Sequence, residues 1–195
     1  MTTTQKLVIA VIALSVALVS VVGGTLAWLW DKTGPVTNTF TVGLVDIELD
    51  EAKVNLYGVE DTAAARVNQN RYKLIPGHTY VKDPTVWVKP ESEACYVFVK
   101  VENGLESIMD AVTIEDQILA KGWTKLDGVA GVYYKTVASR VGETEDLELV
   151  VFENFKIKND AKVADYTTAQ IVVTAYAVQQ DQLSVTDAWD AVKNS

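Results

Sequence analysis

The chain has 195 residues, of which 49% are hydrophobic: enough for one domain with a real core, and too few for two comfortable ones. Its formal charge is -9, and an acidic surface repels phosphate backbones, so nucleic acid is not an expected partner. The single cysteine, Cys95, cannot form an internal disulfide, so the fold must hold without covalent staples of that kind.

Leu7 to Trp30 contains no charged residue. That length exceeds the ~18 apolar residues of a membrane-span candidate. The preceding flank is short and carries Lys6, and the run ends in small residues, with Thr25 and Ala27 at the positions a signal peptidase reads. Residues 1–27 are therefore expected to be a helical signal peptide, cut between Ala27 and Trp28. Membrane contact would precede cleavage only, and the product would be exported. An uncleaved anchor is the alternative.

From Thr37 onward, short β-rich stretches alternate with Gly, Pro, Asn and Asp. In Thr37–Leu49 the apolar parity changes between Leu44 and Val45, which predicts a bulge or bend at Gly43-Leu44. Pro76-Gly77 is a turn signal, and Thr79–Lys89 reads as a strand interrupted at Pro84, which cannot donate to a ladder. In the stretch from Cys95, the residues Cys95, Val97, Val99 and Val101 share a face. Leu105, Ile108, Met109 and Val112 follow helical spacing. Gly131–Ala138 and Leu147–Ile157 read as strands. Gln170–Gln179 is apolar on both faces and predicts a central strand covered on both sides. Near the end, Val185, Ala188, Trp189 and Val192 predict a helix, with Ser184 and Asp187 as a variant capping box. Many short strands with few helices indicate an all-β, antiparallel sandwich with short helices, of which the jelly roll is one form.

Residues able to carry chemistry are few. His78 is the only histidine, which excludes an H-E-x-x-H site and two-histidine iron sites. It follows a turn and reads as a structural or solvent-facing side chain. No nucleotide-binding glycine loop and no G-x-S-x-G is present. Cys95 reads as a small buried hydrophobe, with a reactive thiol as the alternative. Asp46, Glu48, Asp50 and Glu51 form one carboxylate cluster, and Glu143, Glu145, Asp146 and Glu148 another. Paired carboxylates can hydrolyse glycosides or hold Ca²⁺. Yet Asp46, Glu48 and Asp50 alternate with Val45, Ile47 and Leu49, as on the outer face of a half-buried strand. The expectation is no enzyme, no metal and no cofactor.

Trp28, Leu29 and Trp30 would form a new apolar terminus after cleavage. Burying such side chains is worth about 2 kcal/mol each, so they should pack somewhere, on their own domain or on a neighbour.

The sequence around them resembles a known family. Gly23-Gly24-Thr25-Leu26-Ala27-Trp28-Leu29-Trp30-Asp31, then Asn38-Thr39-Phe40-Thr41-Val42-Gly43 and Val45-Asp46-Ile47-Glu48-Leu49, resemble the start of the TasA/camelysin family. Leu74-Ile75-Pro76-Gly77, Trp123-Thr124-Lys125, Gly131-Val132-Tyr133-Tyr134, Val141-Gly142-Glu143-Thr144 and Ala175-Tyr176-Ala177-Val178-Gln179 continue the resemblance in order. It implies a jelly-roll domain over 41–195 and a signal peptide cut by a SipW-type signal peptidase. It further implies a secreted structural subunit of the cell surface or biofilm matrix.

Several family members assemble into fibres by donor-strand complementation, in which the N-terminal segment of one subunit completes the sheet of the next. The matching segment here is 28–40, with Trp28, Leu29, Trp30, Val36 and Phe40 as its apolar residues. The implied partner is a second copy of the chain. The junction departs from the family's commoner form, where one aromatic follows the small residues; two tryptophans stand here. Camelysin-type members have been classed as metallopeptidases, but this sequence supplies no recognisable zinc-ligand set. A monomeric surface adhesin or binding module remains the other reading.

Overall fold

The computed structural model describes residues 45–193, apart from positions 111, 167 and 181. The expected leader, the cleavage point at Ala27 and Trp28, the segment containing Leu29, Trp30, Val36 and Phe40, and the bend at Gly43-Leu44 all lie outside the described residues. Among the described residues no helix is long and apolar enough to cross a membrane.

The described chain is built mostly of antiparallel strands. They are β1 (Ile47–Asp50), β2 (Thr79–Val81), β3 (Thr85–Val88), β4 (Cys95–Asn103), β5 (Thr124–Lys125), β6 (Val132–Val137), β7 (Leu147–Val150), β8 (Asn154–Lys156) and β9 (Ile171–Gln179). Two short α-helices join them, α1 (Ile114–Ala120) and α2 (Val185–Val192). The strands pair in the orders β1-β3-β7, β2-β8 and β5-β6-β4-β9.

The β2–β8 and β3–β7 pairs are two halves of one ribbon. Val81 faces Asn154 and Thr85 faces Val150 in a single continuous register. Between them Lys82, Asp83 and Pro84 oppose Val151, Phe152 and Glu153. Backbone bonds from Lys82 N to Glu153 O (3.0 Å) and from Val151 N to Pro84 O (2.9 Å) carry the pairing through the break. The interruption at Pro84 therefore falls where the sequence places it. The turn at Pro76-Gly77 also stands, with Gly77 at φ +77°, a conformation that glycine adopts without a Cβ clash.

The core lies between the layers. Val86, Val88, Leu149, Val151 and Phe155 meet Cys95, Val97, Val99, Ala175 and Ala177 there. The alternate residues of the four-stranded sheet, including Phe98, Tyr176 and Val178, are covered on the far side by Ala188, Trp189 and Val192 of α2. The sheet is apolar on both faces for that reason. The helix itself matches its sequence signal: Ser184 Oγ accepts from Asp187 N at 3.2 Å.

Two expectations change. The helix sought at Leu105–Val112 is only a 3₁₀ turn, Glu106–Ile108. Leu105, Ile108 and Met109 are buried as their spacing implies, but Met109 leaves the turn in extended conformation to bridge Ile157, and Val112 is exposed. The helix forms one step later as α1, where Thr113 and Asp116 close a full capping box. Second, β9 is covered on both faces, but the central position belongs to β4. Among the described residues β9 pairs only with β4 and forms the sheet margin.

Candidate functional site

Antiparallel pairing turns alternate residues of a strand toward and away from each neighbour. Gly104 N bonds Gln170 O and Gln180 N bonds Ala94 O, so the even-numbered residues of β9 face β4. Ile171, Val173, Ala177 and Gln179 then turn their N–H and C=O groups away from it. In β1, Lys89 N bonds Asp46 O, so Ile47 and Leu49 turn theirs away from β3. Among the described residues no main chain pairs with these outward groups; Val45 and Ala175, in the same two rows, do have partners. Strand β1 runs close beside β9, so the two rows of outward groups lie on one side of the described fold.

Three other margins, those of β7, β8 and β2, are met by side chains or loops, while the short β5 is exposed. Gln117 of α1 donates from Nε2 to Asn154 O (2.8 Å) and accepts at Oε1 from Glu153 N (3.2 Å). Trp123 Nε1 donates to Val150 O at 2.8 Å. These bonds blunt the outer edge of β7 and β8. The outer edge of β2 is met by Gly58 O, which accepts from Val81 N at 3.2 Å, and by the Tyr72 hydroxyl, which donates to Val81 O at 3.0 Å. The end of β1 is bridged by Val67, whose backbone exchanges two 2.8 Å bonds with Glu51. An uncovered strand edge templates pairing with another chain. Among the described residues, Ile47 and Leu49 of β1 and Ile171 and Val173 of β9 have no such main-chain partner, on the side where the chain enters the described fold at Val45.

Lys89 joins the two carboxylate clusters. Asp46 and Glu48 are exposed, as the strand alternation implies, and Lys89 lies 2.8 Å from both Glu48 and Asp146. Hydrogen bonds that the Lys89 ammonium donates to Asp146 and then to Glu48 hold it well above its ordinary pKa. Glu143, Glu145, Asp146 and Glu148 are solvated. Asp50 and Glu51 differ. Arg66 reaches Asp50 through Nε (2.6 Å) and Asp83 through Nη1 (2.8 Å), and Trp87 Nε1 also donates to Asp50 at 2.8 Å. Glu51 is 4% exposed and pairs with Lys82 at 2.6 Å. These contacts tie the 51–83 excursion to the sheet. The sequence carried the clue for Glu51, whose parity is that of Val45, Ile47 and Leu49, the inward row.

Cys95 is fully buried, and burial pushes its thiol up to about 11, so it is inert in the folded chain. His78 sits with Nε2 2.8 Å from Tyr57 O and its ring edge-on to Tyr80 at 4.6 Å. Among the described residues no three His, Cys, Asp or Glu side chains gather into a metal-binding group. In comparisons with known proteins, no family model, curated protein or solved structure matches the chain.

Proposed function

We propose that the chain is a secreted structural subunit of the TasA/camelysin kind, built on a jelly roll and polymerising through its N-terminal segment. The observation that carries this reading is a contrast among sheet margins: those of β2, β7 and β8 are blunted by side chains or loops, while among the described residues Ile47 and Leu49 of β1 and Ile171 and Val173 of β9 leave outward-turned groups on one side. Residues 28–40 of a neighbouring copy would add a strand beside Ile171 and Val173, burying Trp28, Leu29 and Trp30 in the same step. The nesting of the β4–β6 pair inside the β3–β7 pair supports the jelly-roll topology. On this reading a SipW-type peptidase exposes the segment by cutting after Ala27, and the protein is no peptidase.

The test is electron microscopy of the processed protein, with its N-terminus determined on the same sample. Removing Trp28–Val36 should leave a folded monomer that forms no filaments. Val173→Pro should do the same, because it deletes an outward-facing donor while sparing the bonds to β4. Normal filaments from both variants would overturn the reading.

A monomeric surface-binding module is the second reading. It is favoured by the turn at Asn55–Val59, which displays Leu56, Tyr57 and Val59 to solvent while Asn55 Oδ1 accepts from Tyr57 N and Val59 N. Sedimentation that stays monomeric at rising concentration would favour it over the fibre.

A further inference from the structure

Glu51, just past the end of β1, places a buried carboxylate in line with its inward row, where an unpaired charge would be costly. Two side chains share it. Lys82 Nζ lies 2.6 Å from Oε2, and Asn70 Nδ2 donates to Oε1 at 3.0 Å. The Lys82 side chain is 11% exposed. The Asn70 amide is held at both ends: Nδ2 also donates to Ala52 O (2.7 Å), and Oδ1 accepts from Val54 N–H (2.9 Å). Tyr72 packs edge-on to Tyr80 and Phe155 beside the group, and burial, then the charge of Glu51, holds its hydroxyl well above the ordinary tyrosine pKa.

An amine, a carboxamide and one carboxylate bonded to both, screened from water, are the parts of a transamidation. We propose that Lys82 and Asn70 join in an intramolecular isopeptide bond, with Glu51 as the proton carrier. Glu51 takes a proton from the Lys82 ammonium and leaves a neutral amine. The amine lone pair attacks Asn70 Cγ, and the C=O electron pair moves onto Oδ1, where the Val54 N–H already points. The protonated Glu51 then gives its proton to Nδ2, the Cγ–Nδ2 bond breaks and ammonia departs as the carbonyl re-forms. The new amide nitrogen releases one proton to Glu51, which passes it to the ammonia. The net change is one ammonium released for one Nζ–Cγ bond formed, with no change of oxidation state and with Glu51 regenerated. The proposal is independent of the assembly reading.

The test is tryptic digestion of the folded, purified chain after denaturation, read by mass spectrometry. The expected product is the peptide 67–71 joined to the stretch that begins at Leu74 and runs uncut past Lys82. It should be lighter than the two parts together by about 17 Da, the mass of ammonia. Lys82→Arg keeps a cation opposite Glu51 but cannot supply a neutral amine, and Glu51→Gln keeps the shape but cannot carry the proton. Both should release 67–71 separately at full mass and unfold at lower temperature than the parent chain, with circular dichroism confirming that they fold. Full-mass, separate peptides 67–71 and 74–82 from the unsubstituted chain would overturn the proposal on their own, whether or not the variants fold. Hydrolysis of Asn70 to aspartate without a link would overturn it as well. A link that persists in Glu51→Gln would overturn the role given to Glu51.

Discussion

Gln117 of α1 stands against Asn154 of β8 as a further strand would: its Nε2 donates to Asn154 O at 2.8 Å, and its Oε1 accepts from Asn154 N at 3.3 Å. A side chain amide thus satisfies the edge groups that a neighbouring molecule could otherwise use. Gln117→Ala should cost about 1 kcal/mol in urea unfolding, the net worth of one or two such bonds. It should also raise concentration-dependent self-association in light scattering. Unchanged scattering would mean that the edge is protected by something other than Gln117.

Arg66 joins β1, β3 and the break at 82–84 by way of Asp50, Thr85 and Asp83, with its guanidinium 5.7 Å from the Trp87 ring centroid. A lysine offers one ammonium in place of this fork. Arg66→Lys should therefore destabilise the chain by about 1–2 kcal/mol, since the site is only partly screened from water. Protease cleavage within 53–70 should quicken, as that segment loses its attachment to the sheet.

The α2 helix is held by one large side chain. Trp189 lies 5.5 Å from Phe98 and 5.3 Å from Tyr176, edge-on to the latter. Trp189→Ala should cost about 3 kcal/mol and expose the outer face of the four-stranded sheet, raising binding of an apolar dye. Ser184→Ala removes only the cap and should cost about 1 kcal/mol with no dye binding.

Cys95 gives a pH dependence of definite sign. Its thiol titrates near 11 when folded, because of burial, against an ordinary value of 9.0. The folded state thus keeps a proton that the unfolded state gives up, so the contribution is fully present below pH 9 and is lost as pH rises toward 11. The loss amounts to about 2–3 kcal/mol if the rest of the fold is unchanged. Tyr133, raised to about 12 by burial and then by the charge of Glu115, extends the decline upward. Chemical unfolding at pH 8, 9, 10 and 11 measures the slope, and Cys95→Ala should flatten the part between 9 and 11 whatever its stability at pH 8.

Local alternation was enough to place β4, β6, the β7–β8 arm and the break at Pro84, because period-2 burial writes itself into consecutive residues. The cap at Ser184 was legible for the same local reason. The identical signal at Thr113, with Asp116 three residues on, was overshadowed by apolar spacing at Leu105–Val112. That spacing reports burial faithfully, but Met109 satisfies it from an extended bridge to Ile157, nearly 50 residues away in sequence, a partner that no window reveals. The standing of β9 as a margin depends on which strand pairs with which, and so does the closeness of Asn70, Lys82 and Glu51. Neither is a property of any one segment.

The ribbon formed by β2–β3 and β7–β8 crosses its break with three residues on each arm. The crease is therefore length-matched. One residue added to 82–84 alone would turn either Tyr80 or Val86 from core to solvent, together with every side chain beyond it on that arm. A matching addition within 151–153 would restore both faces. Natural variants of this fold should accordingly change length at the crease in pairs or not at all, and a library of single and paired insertions would show soluble protein only along that diagonal.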